Sequence, residues 1–310
     1  MARTRRGQPI HGWVVLDKPL GLSSAQATAR VKRLLDAAKA GHGGTLDPLA
    51  SGVLPIALGE ATKTVSYVMD GPKAYRFTLC WGQARDTDDA EGTVIATSET
   101  RPDKMAISAA LGHFIGEIEQ TPPAYSAIKI DGKRAYVMAR AGEVVKIAVR
   151  QVRIDDFTLI GQPDEDHAIF EVKCGKGTYI RSLARDLAVD LGTFGHVSAL
   201  RRTASGPFTE DGAISLESLE SLVHSAPPSD YLLAIETALD DIPALALNAA
   251  QANHLKHGRP VRVQGAGGRI FVDTESLNDG DVLCAMADGR PVALARLEDG
   301  EIRPVRVLNI

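Results

Sequence analysis

The sequence predicts an α+β fold, with a mixed body of strands and helices followed by a smaller β-rich segment. Three observations carry that expectation. Strict alternation places Tyr75, Phe77, Leu79 and Trp81 on one face of a strand and Arg76, Thr78 and Cys80 on the other. A 3.6-residue period brings Ile180, Leu183, Ala184, Leu187 and Leu191 to one face of a helix. Beyond residue 243, short β-like runs are separated by Gly pairs and by the turns Asp279-Gly280 and Asp288-Gly289.

In chain order, residues 13–16 form a short strand. Ser23-x-x-Gln26 then reads as a capping box opening a helix whose Ala27, Val31, Leu34 and Leu35 share a face, with an end expected near Gly41. The continuous apolar run 53–58 contains Pro55, which suits a buried or edge strand better than a central one. After strand 75–81, Phe170, Val172 and Cys174 line another strand face. Gly175-Lys176-Gly177-Thr178 turns from it into the helix of Ile180, which Gly192 would cap. The stretch Ser225-Ala226-Pro227-Pro228-Ser229 and the acidic pair Asp240-Asp241 suggest a boundary, giving domains 1–241 and 242–310. The second holds one helix, 249–257, and a pattern that suits a small β-barrel.

A chain of 310 residues is long enough for two compact domains, and 44% hydrophobic with 24% charged residues is ordinary for a globular protein. The basic start, Met1 to Gly7, is not followed by the apolar core of a signal peptide, and no apolar run reaches membrane-spanning length, so a cytoplasmic location is expected. Cys80, Cys174 and Cys284 lack paired spacing and read as reduced core residues. Charge is uneven: residues 1–80 carry 11 Lys and Arg against 5 Asp and Glu, a net +6, whereas residues 210–310 carry 8 against 16, a net −8. A polyanion would therefore meet the N-terminal part first, although a solvated basic face has the same count.

Common chemistries fail on spacing. Gly41-His42-Gly43-Gly44 is not a phosphate loop, and Gly265-x-Gly267 lacks the third glycine of a dinucleotide fingerprint. The loop Asp86-Thr87-Asp88-Asp89-Ala90-Glu91-Gly92 has Glu where a calcium loop needs its sixth-position Gly. No metal or other cofactor is expected.

What remains is a dense set of motifs: Asp17-Lys18-Pro19; Gly41 to Gly52 with Thr45-Leu46-Asp47-Pro48; Gly59-Glu60-Ala61-Thr62-Lys63; Lys73-Ala74-Tyr75; Pro122 to Lys129; and Lys176-Gly177-Thr178-Tyr179-Ile180-Arg181. Together they resemble the bacterial TruB family of tRNA pseudouridine synthases. The resemblance is strong through Arg202 and weaker in the tail, and one departure is Gly43, where the family often has Thr or Ala. It implies a central mixed, largely antiparallel sheet with flanking helices, and a PUA-like C-terminal barrel that in related enzymes contacts the acceptor end of tRNA. It also implies isomerisation of uridine 55 in the tRNA T-loop, with the T-loop and T-stem as partner and no membrane. A monomer is the default expectation.

That reaction breaks a C–N glycosidic bond, turns the uracil and forms a C–C bond, so it needs a carboxylate and no redox step. Asp47 resembles the family's catalytic aspartate, although an Asp before Pro in a Gly-rich turn is also a common structural device. Arg181 resembles the arginine that keeps this carboxylate ionised, and Tyr75 the ring that stacks on uracil. By the same resemblance Tyr179 and Leu200 lie in the pocket, and His42 is associated with the displaced nucleotide. Lys18 and Lys63 lie near the site, and Lys129 lies within a segment at about 120–150 that clasps RNA. Each has a plainer reading: core packing for Tyr75 and Leu200, a turn for His42, solvated charge for the lysines. Two other functions are possible for such a chain. An inactive RNA-binding protein would lack Asp47 or Arg181, and a glycoside hydrolase would need a second catalytic acid and would liberate uracil.

Overall fold

The computed structural model describes residues 7–130, 132–262 and 277–310. One sheet dominates it. Its main path runs Gly12–Lys18, Ala50–Leu58, Gly195–Ser205, Lys73–Trp81, His167–Cys174, Arg150–Gly161, Gly116–Gln120, with Ala40–His42 and Phe208–Thr209 added alongside. Every neighbour on the path is antiparallel except Ala50–Leu58 with Gly195–Ser205. The sheet is thus mixed and largely antiparallel.

The capping box forms: Ser23 Oγ accepts from the Gln26 N–H while Gln26 reaches back to the Ser23 N–H. The helix Ser24–Leu34 ends well before Gly41, however. Asp36 turns into the left-handed region (φ 47°), and Gly41 becomes part of the short strand Ala40–His42, paired with Ala50–Leu58.

Pro55 lies in the sheet interior rather than at its edge. The Pro55 carbonyl accepts from the Gly43 N–H, so the missing proline N–H faces that same side, in the gap between Gly195–Ser205, paired only at residues 50–52, and Ala40–His42, paired only at 56–58. The run is continuously apolar because both its faces are covered. Leu54, Ile56 and Leu58 join the main core, while Val53 and Ala57 pack with Trp13, Val15, Phe208 and Leu308.

On the main core side, strand Lys73–Trp81 presents Phe77 to Phe170 and Phe157, with ring centroids 5.2 and 6.0 Å away. The helix Ile180–Asp190 covers this face with Ile180, Leu183, Ala184 and Leu187. Gly192 takes the left-handed conformation (φ 71°) just past its end. Because Phe77 is 1% exposed among large rings that cannot close over a void, Phe77→Ala is expected to cost about 3–5 kcal/mol, read as a lower denaturation midpoint.

The C-terminal segment forms a separate five-stranded sheet in the order Ala244–Ala246, Val282–Ala287, Arg290–Glu298, Glu301–Val307, Val261–Arg262, with helix Ala249–Lys256 packed on it. Asp288-Gly289 makes the predicted two-residue hairpin turn, both residues at positive φ, and Asp299-Gly300 repeats the device one hairpin later. Asp279-Gly280 sits just before the strand Val282–Ala287, and the segment that precedes residue 277 lies outside the described residues. The Gly265-x-Gly267 segment, its adjacent Gly pair and the basic residues 1–6 lie outside the described residues. Cys174 and Cys284 are buried free thiols, and Cys80 is half-buried.

Candidate active site

Asp47 stands on the turn between strands Ala40–His42 and Ala50–Leu58, and that turn is strapped down by neighbouring elements. Ser24, at the start of the capped helix, accepts from the Leu46 N–H through its Oγ at 2.7 Å and donates to the Leu46 carbonyl at 2.9 Å. The Gly21 N–H donates to the Pro48 carbonyl, and the Ala50 N–H to that of Asp47. A local capping motif at Ser23 therefore places the next residue where it fixes the carboxylate's backbone. Gly43 has a packing reason. A Cβ there would come within 2.8 Å of Val68 Cγ1, so any larger residue requires Val68 to shift.

Arg181 enters from the first turn of helix Ile180–Asp190, its side chain 4% exposed. It holds Asp47 at 2.8 Å through Nη2 and lies 3.5 Å from the equally buried Asp89 through Nη1. It also donates to the carbonyls of Thr87 and Tyr125. Asp47 itself is 37% exposed, so one oxygen is gripped while the side chain still opens to solvent. The expected ion pair is present, and the acidic loop supplies a second carboxylate to it. Within that loop Asp89 also accepts from the Thr87 hydroxyl and the Glu91 N–H, while Asp88 pairs with Arg185 of the helix Ile180–Asp190.

Asp47 and Arg181 line a cleft of about 290 Å³ together with Tyr75, Tyr179, Leu200 and Arg202. Tyr75 is half-buried, and burial pushes its phenol pKa up, so the ring meets the cleft as a neutral face. Tyr179 is fixed at both backbone ends by the buried Gln120, and Arg150 lies 4.7 Å over its ring.

The other expected residues stand elsewhere. Lys18 is fully buried, donating to the Pro19 and Leu22 carbonyls, and burial lowers its pKa to about 8 against the raising effect of Asp47. His42 is on the short strand beside the turn and is not among the cleft-lining residues; burial and then the nearby Arg202 push its pKa down. Lys63 is turned away from the cleft, pairing with Glu60 at 2.6 Å and donating to the Val307 carbonyl of the C-terminal segment. Lys129 is exposed on a small ribbon with Lys133–Arg134, also outside the cleft. Sequence reasoning missed Ser24, Asp89, Gln120 and Arg202 as members of the site. Only Asp89 carried a local signal, its place in a dense acidic loop.

The Lys18 shift makes a signed prediction. Below pH 8 the folded chain carries a buried charged amine at a cost; between about 8 and 10.5 the unfolded chain binds that proton and the folded chain does not, so folded stability rises with pH. Wild type should gain stability relative to Lys18→Met as pH is raised from 7.5 to 10, measured as the difference in urea midpoints. A difference flat with pH would contradict the assignment.

Two family models match the chain. One described as TruB family pseudouridylate synthase (N terminal domain) covers residues 32–180, and one described as tRNA pseudouridylate synthase B C-terminal domain covers residues 181–240. The chain is 55% identical to the tRNA pseudouridine synthase B of Rhodospirillum rubrum over the whole of both chains. It is 56% identical to that of Bradyrhizobium diazoefficiens, covering 99% of this chain and 88% of the relative. Among solved structures, a Cbf5-Nop10-Gar1 complex matches with a TM-score of 0.74 and 26% identity, over 96% of this chain and 85% of that one.

Proposed function

The chain belongs to the TruB family of pseudouridylate synthases, and from that membership we propose that it isomerises uridine 55 in the T-loop of tRNA, with Asp47 as nucleophile. One observation supports the residue assignment above others: the Asp47 carboxylate, paired with the buried Arg181, opens into the cleft that Tyr75 and Leu200 line.

In this reading the target nucleotide is first flipped out of the T-loop, because its C1′ and C5 are unreachable in the stack. Asp47 assists cleavage of the C1′–N1 bond by covalent attack. The freed uracil turns against the face of Tyr75, C5 bonds to C1′ as the Asp47 carboxylate departs from it, the C5 proton leaves and N1 takes a proton, so atoms balance without any external reagent. Arg181 holds the Asp47 carboxylate at 2.8 Å and balances its charge as the base displaces water. Tyr179 and Leu200 bound the base. His42 follows the displaced nucleotide, and Lys18 acts from beneath the Asp47 turn. Lys129, on the exposed ribbon of segment 120–150, meets RNA phosphates from outside the cleft. Lys63, bonded to Glu60 and Val307, serves the contact between the turn after Ala50–Leu58 and the C-terminal strand. The catalytic domain spans 1–241, and the PUA-like domain, 242–310, positions it more than it binds phosphate, given the net −8 over 210–310.

No described helix is long and apolar enough to cross a membrane. The chain acts on tRNA in the cytoplasm, as a monomer that supplies every named cleft residue itself. Tritium release from unmodified tRNA labelled at uracil C5, with the modified position mapped, tests the proposal. A single T-loop product supports it, whereas release from other loops, or none, overturns it.

A further inference from the structure

Arg202 is 1% exposed and lines the cleft, yet among the described residues no carboxylate lies within ion-pairing distance of it. Burying a guanidinium without a counter-ion is costly unless fixed dipoles replace water. Here they do. Nε donates to the Val53 carbonyl at 2.8 Å and Nη2 to the Gly44 carbonyl at 3.1 Å, which are the two ends of the turn carrying Asp47. Gly44 and Gly52 bracket that turn at positive φ (131° and 99°), and both pack on Arg202. A Cβ at Gly52 would collide with the Arg202 carbonyl, and one at Gly44 would press on its Nη1. Across the sheet Arg202 stands directly opposite Tyr75, and its positive charge acts on the Tyr75 hydroxyl.

We propose that Arg202 is a positioning residue that ties both ends of the Asp47 turn together by hydrogen bonds and, as the cross-strand neighbour of Tyr75, fixes the carboxylate relative to the base-stacking face. The inference rests on the roles given above to Asp47 and Tyr75. The planar fork is what the site uses, because a lysine carries the charge but not two carbonyl bonds in fixed directions.

The test compares wild type, Arg202→Met, Arg202→Lys, Tyr75→Phe and the Arg202→Met/Tyr75→Phe double variant. Three quantities are read: single-turnover rate at saturating enzyme, tRNA dissociation constant, and hydrogen exchange of amides 44–53. Both Arg202 variants should lose roughly 100-fold in rate, the scale of a small misplacement of reacting groups, with tRNA affinity within about threefold. Exchange at 44–53 should quicken about tenfold while that of strand Gly12–Lys18 stays as in wild type. The Arg202→Met loss should shrink in the Tyr75→Phe background. Should Arg202→Met fail to fold, Arg202→Lys carries the same comparison. A loss confined to affinity would make Arg202 an RNA contact and overturn the proposal, as would unchanged exchange at 44–53 or strict additivity with Tyr75→Phe. If wild type makes no pseudouridine, the functional reading fails, and the exchange measurement alone decides the role of Arg202.

Discussion

Asp47→Asn should leave a folded protein that binds unmodified tRNA as wild type does and turns it over at least about 10⁴-fold more slowly, the scale of removing a covalent nucleophile. The substitution keeps shape and volume while removing the one charge that pairs with Arg181 at 2.8 Å and that, in the proposed reaction, makes the attack. Stability should change little, because Asp47 is 37% exposed and Arg181 retains Asp89 and two carbonyls. Single-turnover kinetics and a filter-binding isotherm on the same preparation check both halves. Wild-type rate in the variant would remove Asp47 from the chemistry, and lost binding would make it an RNA contact.

The second large effect is at Arg181. Arg181→Met removes the cation from between two carboxylates, of which Asp89 is buried and has no solvent to fall back on. Breaking one side of a buried pair typically costs about 3–5 kcal/mol, so a clear fall in denaturation midpoint should accompany a rate loss of roughly 10³-fold or more. The two effects separate in the double variant Arg181→Met/Asp89→Asn. Removing the stranded carboxylate should recover much of the stability and little of the rate, because Asp47 still lacks its cation. Recovery of both together would mean that Arg181 acts only through folding.

The elements that sequence revealed are those whose cause is local. The Ser23-Gln26 capping box, the alternation in strand Lys73–Trp81, the amphipathic helix carrying Arg181 and the Asp288-Gly289 hairpin each depend on residues a few positions apart. The end of the first helix did not follow from periodicity, because a single left-handed residue, Asp36, stops it before the apolar pattern does. Pro55 pointed to a buried or edge strand, and the run is buried, but the proline rule concerns a missing donor and leaves open where in the sheet that donor would face. Only the sheet order shows that this donor would face a gap between two partners.

The site divides along the same line. Asp47, Arg181, Tyr75, Tyr179 and Leu200 were named from motifs, and the fold gathers them around one cleft. Arg202 escaped notice because its meaning is entirely non-local: its partners, Gly44, Val53 and Tyr75, are all more than a hundred residues away in sequence. Lys63 shows the reverse. Its motif suggested nearness to the site, but its amine is committed to Glu60 and to the C-terminal strand, and the Asn309 N–H joins the same carboxylate.

The central claim is that the uracil detached at Asp47 never leaves the cleft but returns to the same sugar through C5. It is tested most directly with tRNA carrying tritium at uracil C5 and carbon-14 in the uracil ring, incubated with wild-type protein. The account predicts one tritium released per tRNA, all carbon-14 retained in RNA and recovered as pseudouridine from the T-loop. Carbon-14 released as free uracil would mean hydrolysis of the glycosidic bond, and would contradict it.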